Sequence, residues 1–435
     1  MGGIGLSFSK AFANHRPAFS QSAIPLIKIL HSADWQLGAR FRQFGAKADA
    51  LRLARLTSLR RSLEISRDRG VDACLIAGDL FEDNQVDEKL VAEVVRLFGE
   101  FSSVPIYLLP GNHDANSGPE SVWNRTVFLQ APANVHVLRE ACAVNLGGAV
   151  LLASPLSQKL SSTDPSLKLL ELAKDIPADQ IKIGITHGAL AIEAKHQPND
   201  FPIALNAASR AGLDYLAIGH WHNWLPDTDG GRIVMPGTPE PDRFSNDRSG
   251  NVAYVEIDGP GKPPRVEPVY VATLTWRVLN LDFLSQESSL ASLNQSLADL
   301  RSKAAQTVLR ITLSGTASPQ IVAEIKIALG KEIEGFFLHQ IVDSTRITLS
   351  AAERADLQAR HPILAQVLAD IDQLEGFATG TAPSAGDQPA ITTPLSLAEA
   401  QALLSPAKID LAQLTPEWFA RLRQTLFQTL QEVTR

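Results

Sequence analysis

Four of the ten histidines in this 435-residue chain, His113, His187, His220 and His222, stand just after short apolar runs. Carboxylates and a carboxamide stand in the same relation. Asp34 follows "IKILHSA" and Asp79 follows "ACLIAG". Asn112, His113 and Asp114 follow "IYLLPG", His187 follows "IGIT", and His220 and His222 follow "YLAIG". Carboxylate, carboxamide and imidazole without sulfur make a mixed oxygen and nitrogen donor set, suited to Mn, Fe or Zn, and an Asp can bridge two such ions. Taken singly, the pieces also have ordinary readings. Gly-Asp after a strand serves as a turn or a helix cap, and a His there can simply be hydrogen-bonded. "GNHD" (111–114) is more specific, because Gly and Asn favour a sharp turn that projects His113. "GHWH" (219–222) puts two imidazoles on one side of an extended segment, since side chains repeat every two residues.

These residues need strands to carry them. Apolar runs near 26–33, 71–77, 104–109, 181–186, 215–219 and 232–235 read as strands, and 47–69, 87–101 and 118–129 read as helices. Such alternation predicts an α/β fold. The segments 134–139, 142–146 and 149–153 read as a meander, so the sheet is not purely parallel. In α/β sheets the C-terminal strand ends converge on one crevice where ligands bind, and every candidate donor lies at such an end.

The pattern changes after Gly259-Pro260-Gly261. "VYVATLTWRVLNLDF" (269–283) and "TVLRITLSG" (307–315) read as strands and 318–332 as a helix, which predicts a small second α/β domain. The expected division is a loose extension over 1–24, a main domain over 25–262, a small α/β capping domain over 263–350 and a helical segment over 351–375. A linker rich in Gly, Ala, Pro and Thr follows over 376–392, then C-terminal helices over 393–435. Trp418, Phe419, Leu422, Leu426, Leu430 and Val433 form one stripe of a helix over 415–433, ready to pack on its own domain or to dock on a partner.

Composition narrows the classes. The apolar fraction of 45% and charged fraction of 20% fit a water-soluble globular protein. Absence of any apolar run near the ~20 residues of a membrane helix argues against a membrane protein. Two cysteines, Cys74 and Cys142, are too few for a sulfur metal cluster and fit a reducing compartment, so a cytoplasmic location is expected. Residues 1–24 contain no acid, a composition that resembles a transit peptide, but without an apolar signal segment they read as a loose extension. The net charge of −7 argues against a globally basic nucleic-acid binder. Between Arg40 and Arg69, however, nine basic residues face three acids. That stretch is either the solvated face of a helix, with Leu51, Leu56, Leu59 and Leu63 beneath it, or a surface that meets phosphates.

Together, "DWQ…GD…GNHD…TH…GHWH" resembles the calcineurin-like metallophosphoesterase superfamily. Within it, "HSADWQLG", "AGDLFED", "LLPGNHD" and "MPGTPEPDRF" resemble the SbcD-type DNA repair nucleases and their YhaO-like relatives. The resemblance covers roughly residues 25–250. Where phosphoprotein phosphatases carry Asp-Arg-Gly, this chain has Phe81-Glu82-Asp83-Asn84. The resemblance implies a sandwich of two central β-sheets flanked by helices. It implies two divalent ions, Mn foremost, with Fe, Zn or Mg as alternatives. Asp34, Gln36, Asp79 and His222 would hold the first ion, and Asp79, Asn112, His187 and His220 the second. His113 would be the general acid, with Asp114 fixing its tautomer and orientation. Two such ions clamp a phosphodiester and activate water, so no Ser or Cys nucleophile is needed.

Gln36 departs from the family pattern, which places His there. A carboxamide oxygen is a weaker donor than imidazole for first-row ions but suits a hard ion such as Mn. Gln36 would coordinate directly, hold a metal-bound water, or mark a lost first metal.

The leading expectation is therefore a metal-dependent DNA exonuclease or endonuclease acting in repair. Analogy adds a homodimer and a coiled-coil ATPase partner, with Arg40 and Arg42 on the basic stretch helping to hold DNA. The alternatives are a phosphodiesterase or phosphatase for small molecules and a non-catalytic subunit that binds DNA ends.

Overall fold

The computed structural model describes residues 26–193, 195, 197–282, 286–347, 351–379 and 397–404, together with 414, 415, 418, 419, 421–423, 425 and 426. The expected N-terminal extension, residues 380–392 of the expected linker and residues 427–433 of the expected last helix lie outside the described residues. The chain forms two compact units. The first runs to Glu240 and continues from Arg248 to Ala272; the second holds Pro241–Asp247 and continues from Thr273.

In the first unit the chain passes through β1 (Ile27–Ser32), α1 (Ala48–Arg69), β2 (Ala73–Ala77), α2 (Glu88–Glu100), β3 (Ile106–Leu109), α3 (Thr126–Leu129) and β4 (Val135–Val137). It crosses to β5 (Cys142–Asn145), β6 (Ala149–Ser154), α4 (Ser166–Ala173), β7 (Ile181–His187), α5 (Ala207–Ala211), β8 (Tyr215–Gly219), β9 (Leu225–Thr228) and β10 (Ile233–Met235). It returns through β11 (Asn251–Ile257) and β12 (Arg265–Tyr270). One six-stranded sheet has the order β12-β11-β1-β2-β3-β4 and the other β5-β6-β7-β8-β10-β9. The central neighbours β1 to β4, and β6, β7, β8 and β10, are parallel. This is the α/β sandwich of two sheets flanked by helices that the sequence predicts, consistent with the calcineurin-like metallophosphoesterase fold.

Period-two alternation builds the layers. Ile27, Ile29, Leu75 and Leu109 face Leu151, Ile183, Ile185 and Tyr215 between the sheets. Their neighbours Leu30, Cys74, Ile76 and Leu108 meet Leu59, Leu63, Val91, Val94 and Phe98 on the outer side. Leu152, Leu216 and Ile218 meet Leu169, Ala207 and Ala211 on the far side of the second sheet. Helix α2 starts where Asp87 accepts the Lys89 N–H, an N-cap.

Three expectations need correction. The helix expected over 118–129 is a 3-10 turn at Val122–Asn124 and one turn of helix, α3. Side chains take its backbone groups instead: Asn124 donates to the Gly118 carbonyl and Asn84 Oδ1 accepts the Val122 N–H. The expected meander is split between sheets, since β4 pairs in parallel with β3 whereas β5 and β6 form an antiparallel pair in the other sheet. The single strand expected over 269–283 is two, β12 at the edge of the first sheet and β13 (Thr275–Asp282) in the second unit.

The second unit continues from β13 through α6 (Gln286–Arg301), β14 (Thr307–Ser314), β15 (Thr316–Ala317), α7 (Pro319–Ile333), β16 (Leu338–Asp343), β17 (Arg346–Ile347), α8 (Ala351–Arg360), α9 (Pro362–Thr379) and α10 (Leu397–Leu404). Strands β13, β14 and β16 form a parallel sheet of order β13-β14-β16. Leu309, Ile311 and Leu313 pack with Leu293, Leu297, Ile325 and Leu329. Phe244, from the excursion Pro241–Asp247, lies edge-on to Trp276 at 4.8 Å, with the Arg310 guanidinium 4.0 Å from its ring centre. Residues 376–379 complete α9, so helix extends into the start of the expected linker. Phe419 is buried among Ile371, Leu374 and Leu404, with Trp418, Leu422 and Leu426 packed alongside. The described members of the C-terminal stripe, Trp418, Phe419, Leu422 and Leu426, thus pack inside their own unit. Arg423 anchors it by ion pairs to Asp372 (2.8 Å) and Glu375 (2.5 Å). No helix among the described residues is long and apolar enough to cross a membrane.

Candidate metal centre

The loops that leave β1 and β2 run side by side. Asp34 N–H donates to the Gly78 carbonyl (3.2 Å), Gln36 N–H to that of Asp79 (3.0 Å) and Leu37 N–H to that of Leu80 (2.9 Å). Four candidate donors take positive φ without being glycine: Asp34 (56°), Gln36 (46°), Asp79 (54°) and His220 (131°). Each such residue costs roughly 1–3 kcal/mol, and strain of this kind gathers at functional sites. Gly78 and Gly111 are required by close approach. A Cβ at Gly78 would lie 2.2 Å from His187 Nδ1, and one at Gly111 would lie 2.2 Å from Asp79 Oδ1.

Donor atoms of Asp34, Asp79 and His187 lie within 4.8 Å of one another. All three side chains are buried, at 0%, 1% and 0% exposure. Asp34 Oδ2 accepts the His220 backbone N–H (3.0 Å). Asp79 Oδ1 accepts the His113 backbone N–H (2.9 Å), and its Oδ2 accepts from Gln36 Nε2 (3.0 Å) and lies 3.5 Å from His187 Nε2. Asn112 Oδ1 is shared by His187 Nε2 (2.9 Å) and His220 Nδ1 (3.0 Å). Asp34, Gln36, Asp79, Asn112, His187 and His220 therefore form one bonded network, and His222 acts on the Asp34 carboxyl through its charge. The carbonyl of His222 accepts the Thr238 N–H (3.0 Å). This ties it to "GTPEPDRF", where buried Glu240 accepts from Ser58 Oγ at 2.5 Å.

A divalent ion fits this arrangement. Asp34 Oδ1 and Gln36 Oε1 are buried oxygen atoms with no hydrogen-bond partner, and burying such an acceptor unpaired is costly. Two carboxylates and an imidazole beside them supply the charge and the donors. The Gln36 nitrogen donates to Asp79 Oδ2, while its oxygen is buried without a hydrogen bond.

The electrostatics follow. Burial pushes the Asp34 carboxyl above its ordinary range, against the opposing charges of His187 and His222. Burial works the same way on Asp79, but the charge and hydrogen bond of His187, with His113, outweigh it and hold Asp79 low. Burial works to lower His187, yet Asp79 and Asp34 raise it to about 9. Without a metal its ring is therefore an imidazolium at neutral pH, donating Nδ1–H to the Ala77 carbonyl (2.8 Å) and Nε2–H to Asn112.

The role expected of Asp114 needs correction. His113 Nδ1 meets the Glu82 carbonyl at 2.9 Å, so that carbonyl, not Asp114, fixes the tautomer and leaves Nε2 to exchange a proton. Asp114 accepts the N–H groups of Phe81 (3.0 Å) and Gly111 (2.7 Å) and thereby clamps the two loops together. Burial, then the charge of Asp79, raises its carboxyl to about 7. The Glu82 loop is held in turn, since Arg125 donates to the carbonyls of Asn84 (2.6 Å) and Val86 (2.8 Å).

Most of the basic stretch serves the fold. Arg55 is buried and donates to the Trp35 carbonyl (2.5 Å), Arg60 pairs with Glu100 (2.8 Å), and Arg61 donates to the Val271 and Ala272 carbonyls. Arg69 forks onto Glu267 and stacks on Tyr254 at 4.4 Å. Arg40 and Arg42 are exposed, on the segment that follows Gln36.

Two contacts were beyond sequence reading. Glu82 acts through its carbonyl, which residue type does not reveal. Asp200, whose Oδ2 lies 2.8 Å from His220 Nε2, follows no apolar strand and sits in the irregular run "QPNDFP".

Residues 27–224 match the family described as calcineurin-like phosphoesterase. Over 333 residues the chain is 24% identical to the "DNA double-strand break repair protein Mre11" of Methanopyrus kandleri, an alignment covering 70% of this chain and 69% of that protein. These matches support the calcineurin-like superfamily. With the buried donor cluster, they support a metal-dependent phosphoester hydrolase.

Proposed function

We propose that this chain is a two-metal DNA nuclease of the SbcD type, acting in DNA repair. The observation that carries the reading is the buried convergence of Asp34, Asp79 and His187, with the unpartnered oxygens of Asp34 and Gln36 beside them. The similarity to the archaeal repair protein spans more of the chain than residues 27–224, which favours a nuclease over an enzyme for small phosphoesters.

Asp34, Gln36, Asp79 and His222 would hold one ion and Asp79, Asn112, His187 and His220 the other, with Mn the proposed metal. When bound, the pair supplies Lewis-acid activation of water and of the phosphodiester. Asp79 would serve both positions: its Oδ2 accepts from Gln36 of one and lies 3.5 Å from His187 Nε2 of the other. Buried walls exclude bulk water around the carboxylates. His113, its Nδ1–H held by the Glu82 carbonyl, gives a proton from Nε2 to the leaving oxygen. Arg40 and Arg42 meet the DNA backbone. A coiled-coil ATPase subunit, a homodimeric state and a cytoplasmic location complete the proposal.

The test is release of nucleotides from linear duplex DNA with Mn, beside Asp79→Ala. Cleavage that needs Mn and vanishes in the variant supports the reading. Turnover of a chromogenic phosphodiester with no cleavage of DNA overturns the nuclease assignment in favour of a small-molecule phosphodiesterase.

A further inference from the structure

His220 has both ring nitrogens engaged, and by groups of different kinds. Nδ1 lies 3.0 Å from Asn112 Oδ1, inside the donor network, and Nε2 lies 2.8 Å from Asp200 Oδ2, outside it. An ionised carboxylate has no proton to give, so Nε2 must carry the hydrogen of that bond. In the neutral ring the lone pair then falls on Nδ1. We propose that Asp200 is the positioning residue for His220: its carboxylate selects the tautomer and turns the Nδ1 lone pair to the metal that His220 shares with Asn112 and His187. This rests on the reading of His220 as a metal ligand.

The place of Asp200 is fixed by its surroundings. Phe201, next in the chain, is buried with φ of 52°, a strained conformation for an aromatic residue. Its N–H donates to the Ser161 carbonyl (2.8 Å), Ser161 N–H donates to the Asn199 carbonyl (2.9 Å), and Ala189 N–H donates to the Asp200 backbone carbonyl (3.1 Å). The segment thus bonds on one side to the loop after β7, which begins at the metal-facing His187, and on the other to the loop after β6. At Gly188 a Cβ would lie 2.4 Å from the Phe201 carbonyl oxygen, so the two runs are in contact. A loop held this closely keeps its carboxylate where His220 needs it.

The contrast with His187 is instructive. That ring is oriented by a neutral carbonyl, Ala77, through Nδ1. His220 is oriented by a charged group through the opposite nitrogen. A carboxylate partner also raises the basicity of the ligating nitrogen, and loss of such a partner weakens metal affinity by roughly 10–100-fold.

The experiment counts and titrates Mn on the full chain, with Co as a spectroscopic substitute, for wild type, Asp200→Ala, Asp200→Asn and His220→Ala. Asp200→Ala is expected to weaken one of two ions by roughly 10–100-fold and to shift the Co absorption bands. Asp200→Asn retains an acceptor oxygen and is expected to recover most of the affinity and the wild-type bands. Unchanged affinity in Asp200→Ala overturns the proposal. So does equal weakening in Ala and Asn variants with an equal fall in Tm, which would make Asp200 a support of its loop only. If His220→Ala itself binds two ions as wild type does, the failure lies in the ligand assignment of His220.

Discussion

The two halves of the candidate centre share Asp79 and little else. One half, with Asp34 and Gln36, lies on the loops after β1 and β2, locked backbone to backbone and bent into left-handed conformations. Apart from His222 its donors are oxygen. The other half draws Asn112 from the first sheet and His187 and His220 from the second, and its rings are set by side-chain and carbonyl props, Asp200 and Ala77. The first half is held by backbone-to-backbone bonds between left-handed loops, the second by side-chain and carbonyl contacts to its rings. On the proposed ligand sets, the Gln36 oxygen would make the first half the harder site, suited to Mn or Mg, and the imidazoles of the second would suit softer ions.

The comparison is broken most severely at the shared residue. Asp79→Ala is expected to abolish binding of both ions and all turnover, as counted by bound metal and released nucleotide; retention of one full-affinity ion would mean that Asp79 serves one half only. His113→Ala should leave both ions bound and reduce kcat by about 10²–10⁴-fold, measured under saturating Mn. A kcat near wild type would remove it from proton transfer.

A pH series separates the halves further. In the metal-free protein His187 is raised to about 9 by its carboxylates. Its folded pKa lies above the unfolded value near 6.5. Its contribution to metal-free stability is therefore full below about 6.5 and lost as pH rises through about 9. A metal must displace that proton, so Mn affinity at the imidazole side should rise by about tenfold per pH unit between 6.5 and 9. Calorimetry in buffers of different ionisation enthalpy would detect the released proton; the same heat in every buffer would contradict the shift. The smallest effect expected is that of Gln36→His. It should raise affinity for Zn over Mn at the oxygen-rich side, on the order of tenfold, in a competition titration. No change in preference would show that Gln36 does not coordinate.

Much of this was legible because the donors sit where strands end. Asp34, Asp79, Asn112, His187 and His220 each follow an apolar run, and the sandwich brings those ends together. The apolar runs of β1, β2, β7 and β8 were likewise legible as strands. Three things were hidden. A carbonyl orients His113, and sequence carries no mark of which carbonyl does so. The 118–129 segment has the composition of a helix, but Asn124 bonds the Gly118 carbonyl and Asn84 takes the Val122 N–H. The basic residues of α1 look like a phosphate surface, yet Arg55, Arg60, Arg61 and Arg69 meet partners distant in sequence. Long-range pairing of this kind is settled only by the fold.

The most direct test of the whole account is a Mn titration of the wild-type chain, followed through to metal stoichiometry. Two ions of unequal affinity are expected, with the tighter one lost in His187→Ala and the weaker one in Asp34→Ala. A single ion, or two that both survive either substitution, would contradict a centre divided at Asp79.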